Sequence, residues 1–559
     1  MNKNTRLKIG LIVDSDFVSK YVYELAQWGQ LQESLLISHL IIQNVKHIKQ
    51  GKIEKAVISL KKNGFLHLAR QISFALISNI ESLLLARFDK FKDHLKTFNL
   101  EKVISQRTII NPMISESGFV YRYSAEDIQL VEDLNLDLLI RCGSGILRGE
   151  ILTSSRLGII SFHHADNRIN RGGPPGFWEV YYKQDNTGFI IQQLTEELDG
   201  GNVLIRGSLQ TKFFYLLNQA SLYTKSNHYL KKLLNDIAIL GTLPAAMDSQ
   251  PYFNPLFRRS NLSEQLFYTL NIVANITTKV VNKFLLNKNY RWGVAYSKSD
   301  WKTLVMWRAN KIKNPPNHFL ADPFVINEGD RDYCFVEDYN YSNSKGCISV
   351  YEIKDKGAER IGEAIVEPFH MSFPYLFRFD SKIYMCPETY ENREIRIYEC
   401  INFPLEWKLC KISMENVSAV DTMIFERDGL WWLFTNIDPV DIDDHCSELF
   451  IFYSDNPLSE NWHPHAKNPI LIDSSKARNA GILYDDKVVY RVSQKQGFDM
   501  YGMGFSINKI LKLNKNEYIE TELCSVEPNF FSNLMGCHHL HSNGNITVFD
   551  FVEKARVNY

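Results

Sequence analysis

The sequence predicts two domains of different class: an α/β domain built on an open, mainly parallel sheet, then an all-β domain, a five-bladed β-propeller. Three observations predict this. The first 240 residues alternate short apolar runs with helix-like stretches, the pattern of parallel strands joined by crossover helices. From about Arg291 onward the helical pattern gives way to strand-like runs. Those runs recur at about 50 to 60 residues, near the blade period of propellers. The boundaries follow: 1–240 for the α/β domain, 241–285 for a linker with Pro244, Pro251 and Pro255, and 286–559 for the propeller.

In order along the chain, residues 7–13 (LKIGLIV) form a continuous apolar run, suited to a strand buried on both faces. A helix is expected over about 17–30, a strand over 33–42, and a helix-like stretch rich in Leu, Lys and Ile over about 45–98. Its greasiest part, Leu68 to Phe88, is broken by polar residues. It reads as an amphipathic helix that packs on its own domain or touches a membrane surface, not as a span. Ser124 to Asp127 looks like a capping box, with Asp for the usual Glu, for a helix to about Asn135. LDLLIRCG (136–143), GIISFHH (158–164) and FIIQQL (189–194) are short apolar strands, and a helix over 214–240 stops at Gly241. Beyond the linker, blade-opening motifs fall at Ala321-Asp322-Pro323-Phe324, Ser372-Phe373-Pro374-Tyr375, Val420-Asp421-Thr422-Met423, Arg478-Asn479-Ala480-Gly481 and Cys537-His538-His539-Leu540. An irregular β-sandwich is the alternative to a propeller.

Composition excludes other classes. With 559 residues the chain exceeds one ordinary core, and 45 % hydrophobic content excludes disorder. The balance of 63 Lys+Arg against 64 Asp+Glu gives a net charge of −1, so no nucleic-acid partner is expected from charge. Nine cysteines without a Cys-x-x-Cys pair suit reduced thiols in the cytoplasm rather than a disulfide framework or thiolate zinc. The apolar run near the start is too short for a signal peptide, and no integral span is expected. Aromatics reach 13 %, with most of the Trp after residue 291, where strands favour them.

The stretch Leu157 to Leu204 carries the chemistry. One strand ends at Ser161-Phe162-His163-His164, a Gly/Pro-rich loop follows, and a later strand leads to Glu197-Leu198-Asp199-Gly200-Gly201. This places a His and an Asp at neighbouring strand ends, where open α/β sheets build sites, and a His beside a carboxylate is a poised acid/base.

These residues resemble the formyltransferase family, whose members carry Asn-x-His at one strand end and Leu-Asp-x-Gly about 35 residues on. Ser161-Phe162-His163 and Leu198-Asp199-Gly200-Gly201 match these, Asp137 to Leu147 resembles the strand and turn bordering the folate pocket, and Arg171-Gly172-Gly173-Pro174 its Arg-Gly loop. The resemblance implies an α/β Rossmann-like formyltransferase domain that uses 10-formyltetrahydrofolate and needs no metal. It implies Ser161, His163 and Asp199 as catalytic residues: His163 passing the amine proton, Asp199 orienting the imidazole, and Ser161 standing where the family has its oxyanion-binding Asn. A neighbour such as Asn167 or His164 could supply that donor instead. Cys142, Gly143, Ser144, Gly145, Ile146, Leu147, Glu197 and Leu198 would hold the folate; Asn167, Arg171 and Gly172 the acceptor. Phe177 and Trp178 pack a core or stack on a ligand.

The second half resembles the propeller at the N-terminus of plant glucosamine inositolphosphorylceramide transferases and, more distantly, five-bladed glycoside hydrolases. Asp322, Glu388 and Asp421 are expected to face the central funnel and bind sugar. His463, His465, His538 and His539 have no metal-ligand spacing. The expected activity is formyl transfer to an amine, on an amino sugar in surface-glycan synthesis, with the propeller binding acceptor or glycan and a homodimer left open. The alternatives are a degenerate transferase in a glycan-binding protein, and a propeller-based glycosidase.

Overall fold

The computed structural model describes residues 6–45, 64–286 and 288–556. The chain divides into two compact units, Met1–Val273 and Ala274–Tyr559.

The first unit is a seven-stranded sheet of β1 (Leu7–Val13), β2 (Leu35–Gln43), β3 (Gln106–Ile110), β4 (Leu138–Arg141), β5 (Ile159–His163), β6 (Asn186–Gln193) and β7 (Asn202–Gln210), in the order β7-β6-β5-β4-β1-β2-β3. The five strands from β5 to β3 run parallel; β6 and β7 are antiparallel additions. The central strands are apolar on both faces because helices cover both: Ile9, Leu11, Leu139, Ile140, Ile159 and Ile160 have essentially no exposure.

Among the described residues the α-helices are α1 (Lys20–Gln30), α2 (Phe65–Leu85), α3 (Ala125–Glu132), α4 (Phe177–Tyr181), α5 (Tyr215–Leu240) and α6 (Leu262–Val280). Several boundaries differ from expectation. Phe17–Ser19 is a short strand paired with Thr97–Asn99, so α1 starts later. Of the stretch 45–98, the described residues are helical over α2, and residues 46–63 lie outside the described residues. The capping box is half made. Ser124 Oγ accepts from the Asp127 N–H at 3.2 Å, but Asp127 turns to accept from the Asn111 N–H at 3.1 Å. Gly241 does close α5, at φ 74°. The 241–285 segment contains α6, whose Tyr268 hydroxyl donates to buried Glu81 of α2.

The second unit holds five antiparallel sheets. Four are runs of consecutive strands that open with β9 (His318–Glu328), β10 (Ser372–Phe379), β11 (Ala419–Arg427) and β12 (Asn479–Asp485). The fifth joins both ends of the unit: β8 (Lys288–Ser297) pairs with β14 (Thr547–Arg556) along its whole length, and β13 (Leu540–Ser542) flanks β14. The opening strands touch in cyclic order, β9 to β10 to β11 to β12 to β13 and back to β9, a propeller-like ring. Phe324, Phe373, Met423, Trp432 and Phe434 fill the core between sheets.

Four of the five opening strands step out of register at their motifs, between Ala321 and Phe324, Ser372 and Tyr375, Val420 and Met423, and Asn479 and Ile482. The fourth step falls one residue beyond the expected repeat. Such bulges re-aim side chains. Asp322 (φ 48°), Phe373 (φ 46°) and Asp421 (φ 48°) sit in the left-handed region, which costs a non-glycine residue energy and is tolerated where the surroundings enforce it.

Candidate functional site

In the first unit, parallel strands β4 and β5 end side by side, and the loop after β6 returns over them. His163, the last residue of β5, is buried. Its Nε2 lies 2.8 Å from the Asn170 carbonyl. A carbonyl can only accept, so Nε2 carries its hydrogen. Nδ1 faces Asp199 Oδ1 at 3.4 Å. The neutral ring therefore presents its basic lone pair on the Asp199 side, and a proton taken there is held beside a carboxylate. Asp199 has a left-handed backbone, φ 50°.

The ring is oriented by a residue the sequence reading missed. Asn170 holds Nε2–H through its carbonyl, while its Nδ2 donates to Glu179 Oε1 at 3.1 Å. Burial pushes the Glu179 carboxyl up to about 7, against the hydrogen bonds from its own backbone and Asn170. The available signal was an acid inside the apolar run Phe177 to Tyr181. Phe177 and Trp178 are core residues; Phe177 packs on Phe74, Tyr215 and Tyr268.

Other expected site residues have different work. Ser161 Oγ lies 3.2 Å from the Phe162 carbonyl and 3.5 Å from the Arg141 carbonyl, so its hydrogen points into the backbone and not at an oxyanion. Asn167 donates to the Asp199 carbonyl at 3.0 Å. Arg171 donates to the Asn167 carbonyl at 3.0 Å and pairs with Glu197 Oε1 at 2.6 Å, and its Nη1 also reaches the Leu198 carbonyl at 3.3 Å. Asn167 and Arg171, expected at the acceptor, thus pin the Glu197–Asp199 loop. Gly172 pairs with Phe257, and a Cβ on it would lie 2.1 Å from the Phe257 oxygen. His164 sits on the other face, its Nε2 3.1 Å from Ser226 Oγ, and burial pulls it down to about 3, which keeps it neutral.

The loop Cys142–Leu147 is tied into the domain. The Cys142 N–H donates to the Ile12 carbonyl, the Ser144 N–H to Asp14, and the Ile146 N–H to the Phe119 carbonyl. The Tyr121 ring covers Gly145. Gly143 lies against Gln43 and Asp14 so closely that a Cβ there would meet them at 2.6 and 2.8 Å. Between this loop, β5 and helices α1 and α5 lies a cavity of about 460 Å³, walled by Arg141, Cys142, Gly143, Ser161, His164 and Tyr223 among others.

In the second unit the bulged strands carry Asp322 and Asp421, and the neighbouring strand Lys382–Glu388 adds Glu388, to one buried charged cluster. Arg478 Nε donates to Asp421 Oδ2 at 2.6 Å, and Arg478 Nη2 lies 3.8 Å from Glu388 Oε2. His538 bridges two carboxylates, Nε2 at 3.1 Å from Asp322 Oδ1 and Nδ1 at 2.8 Å from Asp550 Oδ2. Burial opposes its charge, but Asp550 and Asp322 outweigh that and lift it to about 10. Burial, then Asp421, hold the Glu388 carboxyl well above the usual range; burial, then Asp322, do the same to Glu337. Arg478, Glu337 and Asp550 were not singled out from sequence. Asp322, His538 and Asp550 are spaced closely enough for a metal ion, but here the imidazolium already bridges the two carboxylates. His463 and His465 lie outside this cluster: His463 is on an exposed edge strand, and His465 caps the Lys467 N–H at 3.0 Å. Trp292 packs on His538 with ring centroids 4.2 Å apart, and Arg478 lies 4.9 Å over Tyr501.

Residues 287–533 match the family model described as glucosamine inositolphosphorylceramide transferase 1, N-terminal. The chain is 39 % identical over 221 residues to glucosamine inositolphosphorylceramide transferase 1 of Arabidopsis thaliana, a match covering 37 % of this chain and 28 % of that protein. It therefore spans little more than a quarter of that relative's length. It is 24 % identical over 260 residues to methionyl-tRNA formyltransferase of Bacillus subtilis, covering 44 % of this chain and 74 % of that protein. Among solved structures, the catalytic domain of the Coprinopsis cinerea GH62 α-L-arabinofuranosidase aligns with 48 % of this chain and 97 % of its own, at 13 % identity and a TM-score of 0.33. Among the described residues, no helix is long and apolar enough to cross a membrane.

Proposed function

We propose that the first unit transfers a formyl group from 10-formyltetrahydrofolate to an amine, on an amino sugar destined for a surface glycan, and that the second unit, a five-bladed propeller, binds the acceptor or its glycan. The observation that carries this is the fixed imidazole of His163: Nε2–H held by the Asn170 carbonyl, Nδ1 turned to Asp199. The similarity to methionyl-tRNA formyltransferase supports it. The residues fit the folate donor in one respect: the buried Asn167 Oδ1 and Asn170 Oδ1 lack hydrogen-bond partners, leaving acceptors for a ligand that carries N–H groups. When bound, the donor supplies the formyl carbon. Nδ1 of His163 takes the amine proton, and Asp199 stabilises the resulting imidazolium. Ser161 serves the oxyanion only after its hydroxyl turns from the Phe162 carbonyl. The test is transfer of labelled formyl from 10-formyltetrahydrofolate to a panel of amino sugars and their nucleotide-linked forms. The wild type is expected to transfer and Asp199→Asn to lose about 10²-fold or more. Absence of both donor binding and transfer would sink the reading.

A second reading is favoured by the axial cluster. A Glu388 carboxyl pushed up by burial and by Asp421, beside Asp421 paired with Arg478 and Asp322 paired with His538, offers the unequal carboxyl environments that glycosidic-bond cleavage uses. Sugar release from a glycan panel that disappears in both Glu388→Gln and Asp322→Asn would support it, and no release by the wild type would count against it.

A further inference from the structure

The cavity between the Cys142–Leu147 loop, β5 and helices α1 and α5 contains a charge that the formyl-transfer reading leaves unexplained. Arg141 ends β4 and reaches into this cavity. Its guanidinium donates to the Gly145 carbonyl, but its Nε is buried with no hydrogen-bond partner. No carboxylate among the described residues pairs with it. Asp199 and Asp14 act on it only through their fields, and burial pulls the guanidinium below its ordinary value. Guanidinium stays protonated under these conditions, so the wall carries a full positive charge.

None of the cavity-lining residues is acidic. The other titratable groups on the wall are neutral: burial holds His164 down to about 3 and Cys142 up to about 12, and raises Tyr21 and Tyr223. A buried cation without a paired carboxylate is costly, and the cost is relieved by a counter-ion. Ser161 lies in the same wall, two residues before His163 on β5. An anion on Arg141 is therefore held in the wall that also contains Ser161, the residue expected at the oxyanion.

We propose that this cavity binds an anionic group of the acceptor, a phosphate or a carboxylate, on the guanidinium of Arg141. The proposal rests on the formyl-transfer reading for its identification of the ligand as acceptor. It narrows the acceptor to an amine that carries an acidic group, such as a phosphorylated or nucleotide-linked amino sugar or an amino-sugar acid.

The test is thermal unfolding of the full chain with inorganic phosphate and with acetate, at constant ionic strength in chloride, for wild type, Arg141→Gln and Arg141→Lys. Without ligand, Arg141→Gln is expected to melt at or above the wild type, because it removes an unpaired buried charge. One of the two anions is expected to raise the wild-type midpoint saturably and leave Arg141→Gln unmoved; the effective anion distinguishes phosphate from carboxylate. If Arg141→Gln does not fold, Arg141→Lys replaces it, with anion binding weakened about tenfold. The proposal is overturned if neither anion shifts the wild type at tens of millimolar, or if the variants respond as the wild type does. No donor is present in this assay. Anion binding without formyl transfer would therefore refute only the transfer reading, and transfer without anion binding only this proposal.

Discussion

His538 sets a pH limit on the second unit. In the folded protein it is lifted from 6.5 to about 10. At about 1.36 kcal/mol per pH unit, that difference is worth about 5 kcal/mol as an upper figure for a fully buried group. The sign follows from the raised value. The contribution is complete below pH 6.5, falls as the pH climbs, and is gone above about 10. Between pH 7 and 9 the slope gives a loss of about 3 kcal/mol. His538→Gln removes the titrating group and leaves Asp322 and Asp550 without their cation, so it is less stable by about 3–5 kcal/mol at pH 6. It should not share the loss above neutrality, and the gap between the two proteins should narrow as pH rises. Urea unfolding at pH 6, 7, 8 and 9, followed by tryptophan fluorescence, measures this, since Trp292 packs against the imidazole. Parallel stability curves would refute the reasoning, because the cation would then contribute nothing specific to the folded state.

Arg478→Met should destabilise the second unit by about 3–5 kcal/mol by stranding buried Asp421, and Asp421→Asn added to it should recover part of the loss in a denaturant double-mutant cycle. Glu179→Gln should gain on the wild type as pH rises from 5 to 8, because the wild-type carboxyl, folded at about 7, loses its stabilising protonation through that window; urea midpoints at each pH read the difference. Phe177→Ala should cost about 3–5 kcal/mol in thermal or urea unfolding, since the ring is fully buried among aromatic neighbours. Gly172→Ala should cost more than about 1 kcal/mol, because φ is +114° and the Phe257 oxygen occupies the space, and should speed proteolysis near residues 242–260.

The strands of the first unit were legible where burial on both faces made them continuous apolar runs, as in LKIGLIV and LDLLIRCG. His163 ends a parallel strand as expected, but β6 runs antiparallel to it, so Asp199 meets the imidazole through a loop that folds back, which strand-end reasoning does not foresee. Asn170 and Glu179 were not legible, because a backbone carbonyl leaves no trace in side-chain spacing and a buried acid looks like a surface one. The same limit hid the fate of Ser161 and Asn167, whose residue types suit a ligand but whose nearest partners are backbone atoms. In the second unit the repeats exposed Asp322 and Asp421, and Glu388 was expected beside them, while Arg478 stands in a motif without its pairing to Asp421 being readable from the repeat. Strand β8 escaped notice because its partner lies about 250 residues away, and nothing local marks a pairing of that range.

That long-range pairing orders events during synthesis. A ribosome that has released β8 must make some 250 further residues before β14 emerges to meet it. Through that interval the fifth sheet lacks its centre, and both β8 and the flank of β9 remain open edges, the kind of surface that recruits foreign strands. A stop codon or frameshift shortly before residue 547 would therefore do more than trim a strand: it would leave β8 without its main partner and the ring unclosed, a product expected to be removed by quality control rather than to persist as a shortened protein.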